Sequence, residues 1–219
     1  MKKNYTDKND NLITYVILTI IFISFIGYLI YITYITKSNM KDNNTTKNKN
    51  TNSSIYEEVV TEYEIATYST TIYDQDKNRI HNITLACQRL NGHKVRPLEA
   101  FSFNETMGKM DKDDGYKKAI GFDSNGNKIN MYGGGICQIS STLYNALLIA
   151  NLNVTERHAH SRRVNYVPKD KDATVYYGGP DLKFINDTNN TILIYATTDG
   201  NTVTITLKEQ LKEISKPLM

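Results

Sequence analysis

The residues best suited to covalent chemistry lie in Gly133-Gly134-Gly135-Ile136-Cys137-Gln138-Ile139-Ser140-Ser141. Three glycines permit backbone conformations closed to other residues and let a second chain come close. Cys137 follows them on the expected first turn of a helix, where unpaired N–H groups and the helix dipole favour an anion. A thiol so placed is stabilised as the thiolate, which is the nucleophilic form. A thiol nucleophile needs a base in reach, and the base needs a third group to orient it. The histidines are His81, His93, His158 and His160, and only the last two follow the helix that Cys137 opens. The 23 residues from Cys137 to His160 leave room for a helix, a turn and an incoming strand. Two residues apart on a strand, His158 and His160 would point the same way, so spacing does not choose between them. Asp172, 12 residues past His160, is expected on the next strand, where its carboxylate would fix the imidazole tautomer. Backbone N–H groups near Cys137 and Gln138 are candidates for an oxyanion hole.

These residues need a scaffold, and the hydrophobic pattern supplies one. Ile80, Ile83, Ala86, Cys87 and Leu90 recur at helical spacing between Arg79 and Leu90, closed by Asn91-Gly92. Cys87 falls on that apolar face and is expected to be buried and inert. A second helix begins at or just after Cys137, with Ile139, Leu143, Ala146, Leu147 and Ala150 as its apolar stripe. Cys137 projects opposite the stripe, on the side of Ser140, Ser141 and Tyr144, which predicts a sulfur facing a cleft. Strands are expected at Thr67–Ile72, Ala173–Tyr177, Leu182–Ile185 and Ile192–Thr197. A hairpin through Asp199-Gly200 leads to the alternating Val203, Ile205 and Leu207. The segment from Gly108 to Asn130 is polar, rich in glycine and aspartate, and is read as a long loop. Helices followed by an antiparallel sheet make an α+β domain. Cysteine on a helix, then histidine and aspartate on successive strands, is the order of papain-like and transglutaminase-like folds, an analogy of fold alone.

The N-terminal quarter has another character. Residues 12–35 contain no Asp, Glu, Lys, Arg or His, which gives a transmembrane helix of roughly 36 Å, enough to cross a bilayer. The run is too long for the apolar part of a signal peptide, and no small-residue cleavage site follows. Residues 1–11 then form a cytoplasmic tail. Lysines flank the span on both sides, so charge does not fix its orientation. Residues 36–55, mostly Lys, Asn, Asp, Thr and Ser, form a flexible linker. Residues 56–219 form the catalytic domain. A formal net charge of +3 over 219 residues gives no electrostatic footprint for nucleic acid. Two cysteines and four histidines without paired spacing argue against a metal site, and no cofactor is called for.

From about Tyr68 to Leu207 the chain resembles the VanW-like domain family. The match is carried in order by Arg79 with Asn82-Ile83, by Phe101 to Gly108, and by Gly115-Tyr116-Lys117. The run GGGICQISSTLYNA from Gly133 to Ala146 follows, then Glu156-Arg157, His160-Ser161, Tyr166-Val167-Pro168, Asp172 to Val175, and Asp181-Leu182 with Phe184. Leu98 departs from a usual glycine after proline, and Lys169-Asp170 from a usual proline–glycine. Family members are typically surface or secreted proteins of Gram-positive bacteria, and some are L,D-transpeptidases. The resemblance therefore implies Cys137, His160 and Asp172 as catalytic residues, and favours His160 over His158. It further suggests Gly134, Gly135, Gln138, Ser141, Arg157 and Ser161 as substrate-binding or oxyanion residues. The implied partners are the membrane and peptidoglycan stem peptides, joined in 3→3 cross-links through a cysteine acyl-enzyme. A cysteine hydrolase of the same bonds, or a non-catalytic wall-binding module, remain alternatives. A wall substrate places the domain outside the cell.

Overall fold

In the computed structural model of the chain, residues 58–123 and 125–214 are described. The expected transmembrane segment (12–35) and linker (36–55) lie outside the described residues. Among the described residues, no helix is long and apolar enough to cross a membrane. The elements run β1 (Glu58–Thr71), α1 (Lys77–Leu90), β2 (His93–Val95), β3 (Ala100–Ser102), α2 (Phe103–Met107), β4 (Lys118–Phe122), β5 (Lys128–Tyr132), α3 (Ile136–Ile149), β6 (Asn153–Glu156), β7 (Lys183–Ile185), β8 (Thr191–Thr198) and β9 (Thr202–Ile214).

The main sheet is antiparallel, in the order β1-β9-β8-β2. Its strands follow from period-two patterning: Val203, Ile205 and Leu207 on β9 are fully buried, with half-buried threonines between them. The hairpin between β8 and β9 turns at Asp199-Gly200, as its sequence predicts, with Thr198 opposite Val203. Helix α1 packs against β8, and α3 lies across β1 and β9. Ile83, Ala86 and Leu90 of α1 and Ile139, Leu143 and Leu147 of α3 complete the core against this sheet. Asp76 caps α1, its Oδ1 accepting from the N–H groups of Asn78 at 3.0 Å and Arg79 at 2.9 Å. A second sheet has the order β3-β7-β6. The architecture is α+β, with helices packed on antiparallel sheets.

Three expectations are corrected. The stretch from Gly108 to Asn130 is not one long loop, because β4 and β5 pair as a separate hairpin from Lys118↔Tyr132 to Phe122↔Lys128. Its strand residues are exposed or half-buried apart from Ala119, which weakens the apolar alternation that marks a strand. Its turn is built by Asp123, whose Oδ1 accepts from the N–H groups of Asn125 at 2.9 Å and Asn127 at 2.8 Å. Ala173–Tyr177 is irregular, not a strand. Side chains of α3 stand in for a strand partner: Ser140 Oγ donates to Ala173 O at 2.7 Å, and Ala173 N donates to Ser141 Oγ at 2.9 Å. Asn145 Nδ2 likewise donates to Lys171 O at 2.7 Å. The polar side of α3 is therefore mostly buried beneath the 171–175 segment. His160 and Asp172 likewise lie in irregular backbone past β6 and not on strands.

Candidate functional site

Cys137 is the second residue of α3, and the glycines before it are there for space. Gly135 caps the helix at φ 111°, a left-handed conformation that side chains disfavour. A Cβ on Gly134 would sit 2.5 Å from the carbonyl oxygen of Ala119. Asn82 of α1, fully buried, clamps this run to β4: its Nδ2 donates to Gly134 O at 3.0 Å and Lys117 O at 2.9 Å, and its Oδ1 accepts from Lys117 N at 2.8 Å. Helix α3 thus starts at a fixed point with its first turn open to a cavity of about 960 Å³. That cavity is lined by the β4–β5 hairpin, the glycines, Cys137, the 159–166 segment and Thr174–Tyr177.

The Cys137 thiol donates to Val175 O at 3.5 Å and lies 3.9 Å from Thr174 Oγ1. Burial pushes its pKa up, but hydrogen bonding to His160 and the charge of that imidazole overcome this, with Thr174 assisting. The net result is a thiol below its ordinary value. His160 is shifted the other way. Burial disfavours its imidazolium, yet the hydrogen bond and charge of Cys137, then those of Asp172, hold its pKa above the usual histidine range. Its Nδ1 lies 2.6 Å from Asp172 Oδ2, which leaves Nε2 as the nitrogen available to the sulfur. The same Asp172 oxygen accepts from the His160 backbone N–H at 2.6 Å. Arg157 holds the other carboxylate oxygen through Nη2 at 2.8 Å, and its Nε donates to Asp172 O at 2.5 Å. Asp172 ionises below the usual carboxylate range: burial opposes this, and the His160 backbone, ring and charge outweigh it. The arrangement favours a thiolate–imidazolium pair steadied from behind by a carboxylate and a guanidinium.

The structure separates the histidines that spacing could not. The His160 side chain is 6 % exposed and the His158 side chain 47 %. His158 turns outward to Glu156 Oε1 at 3.0 Å. They diverge because neither lies on a strand. His81 contacts Gly115 O and His93 packs edge-on against Phe101, both away from the thiol. Cys87 is buried, its pKa pushed up to about 12, and both cysteines are free.

Several residues expected to bind substrate are engaged elsewhere. Gln138 is buried, its Nε2 donating to Thr70 Oγ1 at 3.1 Å and Thr71 O at 3.0 Å, and its backbone N–H to Gly135 O at 3.0 Å. Neither its side chain nor its N–H is available to an oxyanion. Among the described residues, the Cys137 N–H, in the first turn of α3, has no backbone acceptor. Ser141 is fully buried and donates to Cys137 O at 2.6 Å. Arg157 stands behind Asp172, its guanidinium 5.3 Å from the Tyr144 ring centroid, and not on the cavity wall. Gly134, Gly135 and Ser161 do line the cavity. Sequence reasoning missed Thr174 and Val175 beside the thiol and Tyr166 on the cavity wall. No periodicity marks them, and only their place in the family motifs was a signal.

Within an α+β fold the structure thus brings a cysteine on a helix N-terminus to a carboxylate-held histidine at one cleft. The family model described as "VanW like protein" matches residues 78–208, and the chain belongs to this family. It is 43 % identical over 144 residues to "Uncharacterized protein YoaR" of Bacillus subtilis (strain 168), covering 66 % of this chain and 47 % of that protein. It is 36 % identical over 132 residues to "Vancomycin B-type resistance protein VanW" of Enterococcus faecalis (strain ATCC 700802 / V583), covering 58 % of this chain and 48 % of that protein. The chain therefore spans about half the length of these curated relatives. No solved structure matches it.

Proposed function

We propose that the chain is a peptidoglycan L,D-transpeptidase acting through a Cys137 acyl-enzyme. The observation that carries this reading is the meeting of Cys137 and His160 at one cleft, His160 backed by Asp172 and Asp172 by Arg157, with the thiol lowered and the imidazole raised in pKa. The printed name of the enterococcal relative, a vancomycin resistance protein, supports a role at the cell wall. In the first step the Cys137 thiolate attacks the carbonyl of the third stem residue, a diaminopimelate. The tetrahedral oxyanion is met by the free Cys137 N–H. His160 protonates the departing amine, the C–N bond breaks, and D-alanine leaves. In the second step the side-chain amine of another stem attacks the thioester, His160 takes its proton, the C–S bond breaks, and a 3→3 cross-link remains. The reaction consumes no ATP, which suits a domain held outside the cell by the N-terminal span.

The test is mass analysis of muropeptides after incubating purified protein with tetrapeptide-bearing substrate. Formation of 3→3 dimers by the wild type and none by Cys137→Ala is the expected result. Tripeptide and free D-alanine without dimers would make the protein a hydrolase. Unchanged substrate would leave a binding module.

A further inference from the structure

Arg79 lines the cleft from the first turn of α1 and has no acidic partner among the described residues. Its Nη2 donates to Gln138 Oε1 at 3.0 Å, and Gln138 is in turn pinned to Thr70 and Thr71. Its stem packs against the helix start: a Cβ on Gly135 would lie 3.0 Å from Arg79 Cγ. Its Nε is buried without an acceptor, and Arg79 forms no ion pair among the described residues. A guanidinium stays charged, and an immobilised, uncompensated charge is costly unless a ligand supplies the opposite one. The surroundings do not supply it. The cavity is lined by Arg79, Lys109, Lys128, Arg162 and Arg163 against only Asp74 and Asp123. Both aspartates are occupied in their own turns, Asp74 accepting from Asp76 N at 3.1 Å and Asp123 from Asn127 N at 2.8 Å.

We propose that Arg79 binds the free terminal carboxylate of the donor peptide, one residue beyond the carbonyl that Cys137 attacks. Gln138, which holds Arg79, is the residue next to Cys137 in α3. Arg79 and Cys137 line the same cavity, and a carboxylate on the leaving residue lies one extended residue, about 3.5 Å, beyond the scissile carbonyl. A guanidinium fork matches a carboxylate's two oxygens. The cleft then selects chain ends over internal bonds, because only a terminal residue carries that carboxylate there. This rests on the reading above, in which the cleft takes a stem peptide.

The proposal is tested by calorimetric titration of Cys137→Ala protein, which cannot turn over. The two ligands are a peptide ending in diaminopimelate–D-alanine and the same peptide amidated at its C-terminus. The carboxylate form binds about tenfold tighter than the amide, as expected for one charge-assisted contact. Adding Arg79→Gln collapses that ratio to near one, and adding Arg79→Lys, which keeps the charge and is the gentler change, lowers it to an intermediate value. A ratio unchanged in Arg79→Lys and Arg79→Gln overturns the proposal, as does equal binding of the two peptides by the parent. A purely structural role for Arg79 would weaken both peptides alike and leave the ratio intact. Arg79-dependent discrimination by the parent, with no dimer or D-alanine release from the wild type, would uphold this contact while the enzymatic reading failed.

Discussion

At the scale of single residues, the chemistry turns on two opposed shifts. The Cys137 thiol titrates below its ordinary value and the His160 imidazole above its own, each largely because of the other once burial is overcome. The thiolate–imidazolium pair is therefore populated where an isolated thiol would still be protonated. Alkylation of Cys137 by iodoacetamide should stay fast well below the pH at which a free thiol ionises. Asp172→Asn removes the charge that supports the imidazolium, so His160 loses its proton at lower pH and the thiolate loses its partner. The acid limb of the alkylation profile should then move to higher pH, and an unmoved limb would show that the carboxylate does not act through His160. Cys87, with its pKa at about 12, should stay unlabelled in the folded protein. His160→Ala should abolish turnover in the muropeptide assay, whereas His158→Ala should leave most of it, because His158 faces Glu156.

At the scale of elements, the site depends on where α3 starts and what lies over it. Asn82→Ala should cost about 2–4 kcal/mol in urea unfolding, since it strands buried groups on Lys117 and Gly134 at once. Activity should fall further than stability explains, because the helix start loses its clamp. Helices α1 and α3 and the β8–β9 hairpin were legible in the sequence, because their apolar periods are strong and Asn91-Gly92 and Asp199-Gly200 mark the end of α1 and the turn of the hairpin, whereas the five-residue α2 is too short to show a period. The position of Cys137 on a first turn was legible for the same reason. The segment that carries His160 and Asp172 was not, because its backbone is satisfied by Ser140, Ser141 and Asn145 side chains from α3, and no strand-to-strand alternation records that. Those serines looked like a cleft-facing stripe and are a buried docking surface. The two departures from the family pattern also gain a physical meaning. Leu98 and Asp170 adopt φ of 63° and 64°, the left-handed region where the pattern usually has glycine. Leu98→Gly should therefore raise stability by about 0.5–1 kcal/mol despite adding chain entropy, as read by the urea midpoint. A loss of stability would mean that the exposed Leu98 side chain makes contacts worth more than its strain.

At the scale of the whole molecule, support and access fall to different sheets. The core of α1, α3 and the β1-β9-β8-β2 sheet lies on one side of the α3 start, and the β4–β5 hairpin walls the cleft on another. The proposed orientation, with the domain outside, predicts that protease added to protoplasts releases it by cutting within residues 36–55. Protection of the domain would reverse the topology and remove the wall as its substrate. The β1–β9 ribbon adds a matter of reach. Strand β1 pairs with β9 from Glu58 through to Thr71, and Thr70 and Thr71 at its far end hold Gln138 beside Cys137. At about 3.4 Å per residue those 14 residues span roughly 45 Å. Whatever precedes Glu58 joins the domain at the end of the ribbon remote from the sulfur. The strand is thus a built-in spacer as well as a sheet edge, setting by its pairing the distance between Glu58 and the thiol. Shortening both strands of the ribbon together would draw the thiol toward the Glu58 end of the domain, whereas lengthening them together would carry it further away.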